Sequence, residues 1–324
     1  MQKHKFILNI RMPVKKIGIT ALVPPELIFA CGAVPFDVNN VIPSSRKYPG
    51  NKLCAWTAIW KEMLVKREIN VDSLIVVAGG DCHNALVDGQ KAAMSGIPTH
   101  FFFYPFDGDS LYMELQLHRL SEFLDGIKCP EKFKEIRELK KQGKILDKKR
   151  CCGKLSSSEA FRVLISFSDL AGDLEGFFRM ISSLEEKDID IRNRIALIGV
   201  PPIYHDFHEV AHSLGLHIVF DELPYEFIRH GGTTIQEMAH DYCDYTFARP
   251  LEFRIDFLNK ELELRNVNGV IHYTQFACHH MLEDEIMRKK LDYPMLTIQG
   301  DLPGNTPQQI KLRLEAFREM LDRL

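Results

Sequence analysis

Cys54, Cys82 and Cys278 are the residues of this chain whose types and settings best suit shared chemistry. Cys82 follows the apolar run Ser73-Leu-Ile-Val-Val-Ala-Gly-Gly-Asp, and Cys278 follows Gly269-Val-Ile-His-Tyr-Thr-Gln-Phe-Ala. Both runs read as buried strands, so each thiol stands at a strand mouth. Cys54, in Lys52-Leu-Cys-Ala-Trp, opens an amphipathic helix. Thiols at strand mouths and helix starts can converge from distant parts of a chain. Cubane iron–sulfur clusters normally take four thiolates, so three would leave one iron able to bind a substrate oxygen or water. The alternative is three small buried hydrophobes, a common fate of cysteine. The wide spacing in sequence does not choose between the two.

A second candidate is His208-Glu209-Val-Ala-His212. Two histidines one helical turn apart with a glutamate between them can bind zinc and activate water, which makes a zinc-dependent hydrolase an alternative. Its setting, a short crossover helix between two apolar strands, equally suits a solvated helix face. His279 and His280, beside Cys278, can face a cleft or serve as surface or capping groups. Glu222 and Arg229 follow a strand end and read either as cleft residues or as an ordinary ion pair. Cys151-Cys152 beside Lys148-Lys-Arg reads as a linker position. Gly79-Gly80 matches neither G-x-x-x-x-G-K nor G-x-G-x-x-G, so nucleotide hydrolysis has to reside on another protein.

These groups need a scaffold, and the composition supplies one. The chain has 324 residues, 45% hydrophobic and 26% charged, the balance of a globular protein with room for two cores. A formal net charge of −3 gives no basic field for nucleic acid. No apolar run is long enough to span a bilayer, and the basic start lacks the apolar core of a signal peptide, so a cytoplasmic protein is expected. Eight cysteines without an export signal or any C-x-x-C pair suit metal binding or packing rather than disulfides.

The pattern alternates strand and helix. Strands are expected over 33–38, 73–77, 99–104, 194–200, 217–220, 269–276 and 295–298, with 16–21 as a short approach. Helices are expected over 23–32, 54–67, 84–95, 109–124, 130–149, 156–184, 205–214, 234–242, 251–262, 281–290 and 306–324, and a loop over 41–52. Such alternation indicates parallel sheets with helices on their faces. The expected architecture is α/β: two Rossmann-like doubly wound domains, 1–150 carrying Cys54 and Cys82 and 151–324 carrying Cys278, joined by a helical connection. Ligands are expected at the carboxyl ends of the strands, between the domains.

Four stretches add a resemblance. Val23-Pro-Pro-Glu-Leu-Ile-Phe-Ala-Cys-Gly-Ala-Val-Pro, Leu53-Cys54 before a helix, Val76-Val77 running to Cys82, and Gly269 to Cys278 followed by Pro294-Met-Leu-Thr-Ile-Gln-Gly-Asp and Arg313-Leu-Glu-Ala-Phe occur in this order over nearly the whole chain. Together they resemble the 2-hydroxyacyl-CoA dehydratase / benzoyl-CoA reductase family, specifically its smaller, D-component-like subunit. His83 stands where the family usually has Asp, and Gln299 where an acidic residue is common.

The resemblance implies a [4Fe-4S] cluster on Cys54, Cys82 and Cys278. It also implies a separate ATP-hydrolysing iron–sulfur activator that delivers one electron, and dimerisation with a related subunit or with itself. The implied chemistry is radical dehydration or reduction of an acyl-CoA-like thioester through a ketyl radical anion. This is lyase or oxidoreductase chemistry of anaerobic proteins, with His83, Glu222, Arg229 and His279 as candidates to line the substrate cleft. The rival within the same family is a non-catalytic electron-relay or scaffold subunit.

Overall fold

A computed structural model of the chain describes residues 14–43, 54–79 and 82–324. Most of the expected 41–52 loop, the turn residues Gly80 and Asp81, and the basic start lie outside the described residues.

Strands β1 (Lys16–Ile19), β2 (Val34–Asp37), β3 (Ser73–Gly79) and β4 (Thr99–Phe103) form a four-stranded sheet in the order β2-β1-β3-β4. Strands β5 (Asn193–Gly199), β6 (Leu216–Asp221), β7 (Gly269–Gln275) and β8 (Met295–Gly300) form a second, in the order β6-β5-β7-β8. All the pairings are parallel, so the chain is α/β with two Rossmann-like sheets. The order is the same in both when each sheet is counted from its own first strand. Each therefore reverses direction between its first and third strands, and the crevice at that switch point is where such folds place ligands.

The sequence explains the burial. In β5, Ile195 and Leu197 join one apolar cluster while Ala196 and Ile198 join another on the opposite face. A strand covered on both sides loses the polar alternation of a half-exposed strand. The 16–21 stretch is a correction: it is an inner strand, paired to both β2 and β3. Gly18 interrupts its apolar run, and an added Cβ there would sit 3.0 Å from Leu74.

The helix expected over 156–184 is also corrected. It breaks into Ser157–Ile165, short 3-10 turns and Leu174–Ser182. At the break Leu170 and Ala171 take φ of 52° and 51°, which a continuous helix cannot accommodate. A helix missed in sequence, Glu222–Arg229, directly follows β6.

Two helices tie the sheets together. Glu131–Cys151 packs against elements of both halves. Ala55–Val65 lies between them: its Trp60 and Leu64 join the cluster on the first sheet, while Ala55, Ile59 and Met63 join the cluster on the second. Two apolar faces on one short helix fix its position from both sides, and Cys54 is its N-cap. No helix among the described residues is long and apolar enough to cross a membrane.

Candidate metal centre

Cys82 and Cys278 occupy equivalent places in the two sheets. Each stands three residues beyond its third strand, 79 to 82 after β3 and 275 to 278 after β7. Each then starts a helical turn, His83–Met94 in one case and His279–Glu283 in the other. The two segments touch directly: Asn84 Nδ2 donates to the Ala277 carbonyl over 2.9 Å. Ala277 has a φ of 61°, a left-handed conformation that costs a residue with a Cβ about 1–2 kcal/mol. The Cys278 amide donates to the Gln275 carbonyl over 2.9 Å, which closes the turn.

Cys54, Cys82 and Cys278 all line one cavity of about 400 Å³. Thr20 and Ala21 after β1, Val200 and Ile203 after β5, and Gln275 from β7 line it too, so the two switch points open on the same space. Two of the sulfurs, those of Cys54 and Cys82, have α-helix N-termini behind them. Cys54 accepts from the backbone amides of Thr57 and Trp56, and Cys82 from the Ala85 amide over 3.4 Å. Such ends carry positive partial charge and favour thiolate. Burial works the other way at Cys54, pushing its thiol up to about 12, with a further upward push from the Cys278 sulfur nearby.

A strong positive centre such as iron would stabilise the thiolate form of a cysteine buried in this way. Among the described residues, no three His, Cys, Asp or Glu side chains gather tightly enough to hold a single ion. A cubane does not ask for that, because its thiolates bind at separate corners. Three sulfurs spread around one cavity, two of them backed by amide donors, are a donor set that fits such a cluster.

A family model described as 2-hydroxyglutaryl-CoA dehydratase, D-component, matches residues 20–321. The chain belongs to this dehydratase D-component family. Membership makes it a dehydratase-type component for 2-hydroxyacyl-CoA chemistry. No curated relative matches the chain.

The other candidate residues of this D-component chain divide. His279 lines the cavity, and its ring centroid lies 5.7 Å from that of His83 across the two cysteine turns. Burial and the neighbouring His280 push His279 down to about 4, so it is neutral at pH 7. Glu222 and Arg229 are not each other's partners. Glu222 is fully buried, holds Arg254 bidentately at 2.6 and 2.8 Å and accepts the Gly199 amide at 2.7 Å. Arg229 pairs with Glu226 at 2.9 Å. His280, open in sequence to a cleft or a surface or capping place, lines the cavity and is buried against Arg254 at 3.2 Å and Glu283 at 3.0 Å.

The zinc motif resolves into structural parts. His208 is 4% exposed, donates its Nε2–H to the Asp221 carboxylate over 2.8 Å and stacks on Phe161 with centroids 4.0 Å apart. Glu209 accepts from Ser158 over 3.0 Å, and His212 is exposed with its ring edge on His217. A zinc site needs both rings turned to one point. Here one ring is committed to the core and the other lies at the surface.

Sequence reading missed Asp37, Trp56 and Gln275, all of which line the cavity. Trp56 reads in sequence only as one of the apolar residues of its helix. The signal for Asp37 and Gln275 was their position at the carboxyl ends of β2 and β7, on runs otherwise read as core.

Proposed function

We propose that this chain holds a [4Fe-4S] cluster on Cys54, Cys82 and Cys278 and acts in radical dehydration or reduction of an acyl-CoA-like thioester. A separate ATP-hydrolysing activator supplies the electron. The observation that carries the reading is the meeting of these three cysteines in one cavity at facing switch points, in a chain of the dehydratase family. A bound cluster supplies one electron at low potential to the thioester. The chain's own residues do the rest. The helix amides behind Cys54 and Cys82 donate hydrogen bonds to sulfur, which would hold the thiolates in place and help set the potential of a bound cluster. Trp56, Trp60, Phe161, Phe227 and Ile203 exclude water from the cavity, where a radical would otherwise be quenched.

Anaerobic purification tests the proposal. The protein is expected to be brown, with iron and sulfide in the ratio of one cubane per chain. Cys54→Ala, Cys82→Ala and Cys278→Ala are each expected to lose most of the iron, while exposed Cys152→Ser keeps it. Full iron retention in all three alanine variants overturns the assignment.

A further inference from the structure

One buried guanidinium laces together the ends of three strands of the second sheet. Arg254, on the helix Leu251–Leu264, is 1% exposed. Its Nε and Nη2 donate to the two oxygens of Glu222 over 2.6 and 2.8 Å. Glu222 is the first residue after β6, and its Oε2 also accepts the amide of Gly199, the last residue of β5. The remaining nitrogen, Nη1, donates to Glu283 Oε2 and stands 3.2 Å from His280 Nδ1. His280 and Glu283 belong to the turn His279–Glu283, which follows Cys278 after β7. Every nitrogen of the guanidinium is thus engaged in holding one strand end to another. The planar fork of an arginine is the shape such a bridge needs.

The bridge reaches the sulfurs through the backbone. The Met281 amide, inside the clamped turn, donates to the Cys278 carbonyl over 3.2 Å. One residue before Cys278, the Ala277 carbonyl accepts from Asn84, two residues after Cys82. The helix start that carries Cys82 therefore rests on the same segment. The guanidinium carbon also lies 4.4 Å from the ring centroid of Phe247, and Phe247 and His280 both line the cavity. Cys54, on the helix wedged between the sheets, is placed by the packing of that helix on both of them.

Resting on the cluster reading above, we infer that Arg254 is a positioning residue for Cys278: it ties the turn after that cysteine to the ends of β5 and β6, and so sets where its sulfur stands among the three. Shape matters here more than charge. Lysine carries its charge on one nitrogen and cannot span Glu222 and the turn together. Glu283 is the branch that can be cut alone. Its removal frees the turn and leaves the buried Arg254–Glu222 pair intact, whereas removing Arg254 strands a buried carboxylate.

Alkylation of the iron-free, full-length chain by iodoacetamide, read cysteine by cysteine with peptide mass spectrometry, tests this. Cys278 is expected to label roughly tenfold faster in Glu283→Ala than in wild type, as a segment does when it opens locally. Cys31 and Cys243, buried in the large apolar cluster, keep their wild-type rates. Arg254→Lys is expected to match Glu283→Ala. In the iron-loaded protein both variants are expected to shift the g-values of the reduced cluster, a signature that lost stability alone does not move. Unchanged Cys278 labelling in Glu283→Ala overturns the inference. Equal acceleration at Cys31, Cys243 and Cys278 overturns it too, because that is general loosening, and so does wild-type labelling in Arg254→Lys. Should Arg254→Lys fail to fold, Glu283→Ala decides alone. A wild-type chain that takes up no iron overturns the cluster reading instead, and the labelling, read without iron, still decides the clamp.

Discussion

At the residue scale, the cavity holds a carboxyl group whose ionisation burial delays to near neutral pH. Asp37 is 3% exposed, and burial, followed by the nearby Asp169 carboxylate, pushes it up to about 7. Ser168 and Asn39 hydrogen-bond to it and pull the other way. Asp169 is itself raised, by burial above all, with Lys16 and the amides of Asp37 and Ala171 opposing. In the unfolded chain Asp37 returns to the ordinary 3.8. Between those two values the folded state holds the extra proton, so stability falls as pH rises through the window and stays reduced above it. Asp37→Asn removes the charge and keeps an acceptor for Asn39. Its thermal midpoint is expected to exceed that of wild type by several degrees at pH 8, with the two curves merging near pH 4. A variant less stable than wild type at pH 8 overturns this account.

At the element scale, the helix Phe207–Ser213 shows how one motif can serve two environments. His208 faces the core, where Asp221 also pairs with the fully buried Arg150, and His212 faces solvent. His208→Ala is expected to cost roughly 1–3 kcal/mol, because it leaves a buried carboxylate short of one partner. His212→Ala is expected to stay within about 0.5 kcal/mol of wild type, as surface changes do. Urea denaturation of the two variants measures both. Equal losses would mean that the histidines act together after all. The helix Ala55–Val65 makes a related point: its spacing identified it in sequence, but not that its two faces serve two different sheets.

At the scale of the whole molecule, one apolar cluster runs from Ile17 to Ala248 and takes in helices from both halves of the chain. Across it, Lys140 of the long helix reaches the buried Glu26, whose other oxygen accepts from Tyr242 over 2.8 Å. A shared core of this kind couples the two sheets. Tryptophan fluorescence, which reads the wedge helix, and far-UV circular dichroism, which reads all the helices, are expected to report coincident urea transitions. Separate midpoints would show the halves unfolding independently.

Much of this was legible in the residues. Unbroken apolar runs such as Ser73-Leu-Ile-Val-Val specify strands covered on both faces, and helical spacing between them specifies parallel sheets, because both signals are local and periodic. The cysteines at the ends of those runs were visible for the same reason. Partnership was not. Asn84 meets the carbonyl of Ala277 across 193 residues, and no period encodes such a pairing. Glu222 reads in sequence as a cleft residue or as the ion-pair partner of Arg229, and its actual partner, Arg254, stands on a later helix. The residue chemistry and the layers were set by the sequence alone. The meeting of three sulfurs in one cavity depended on how two sheets of equal strand order are joined through the helices packed on both of them.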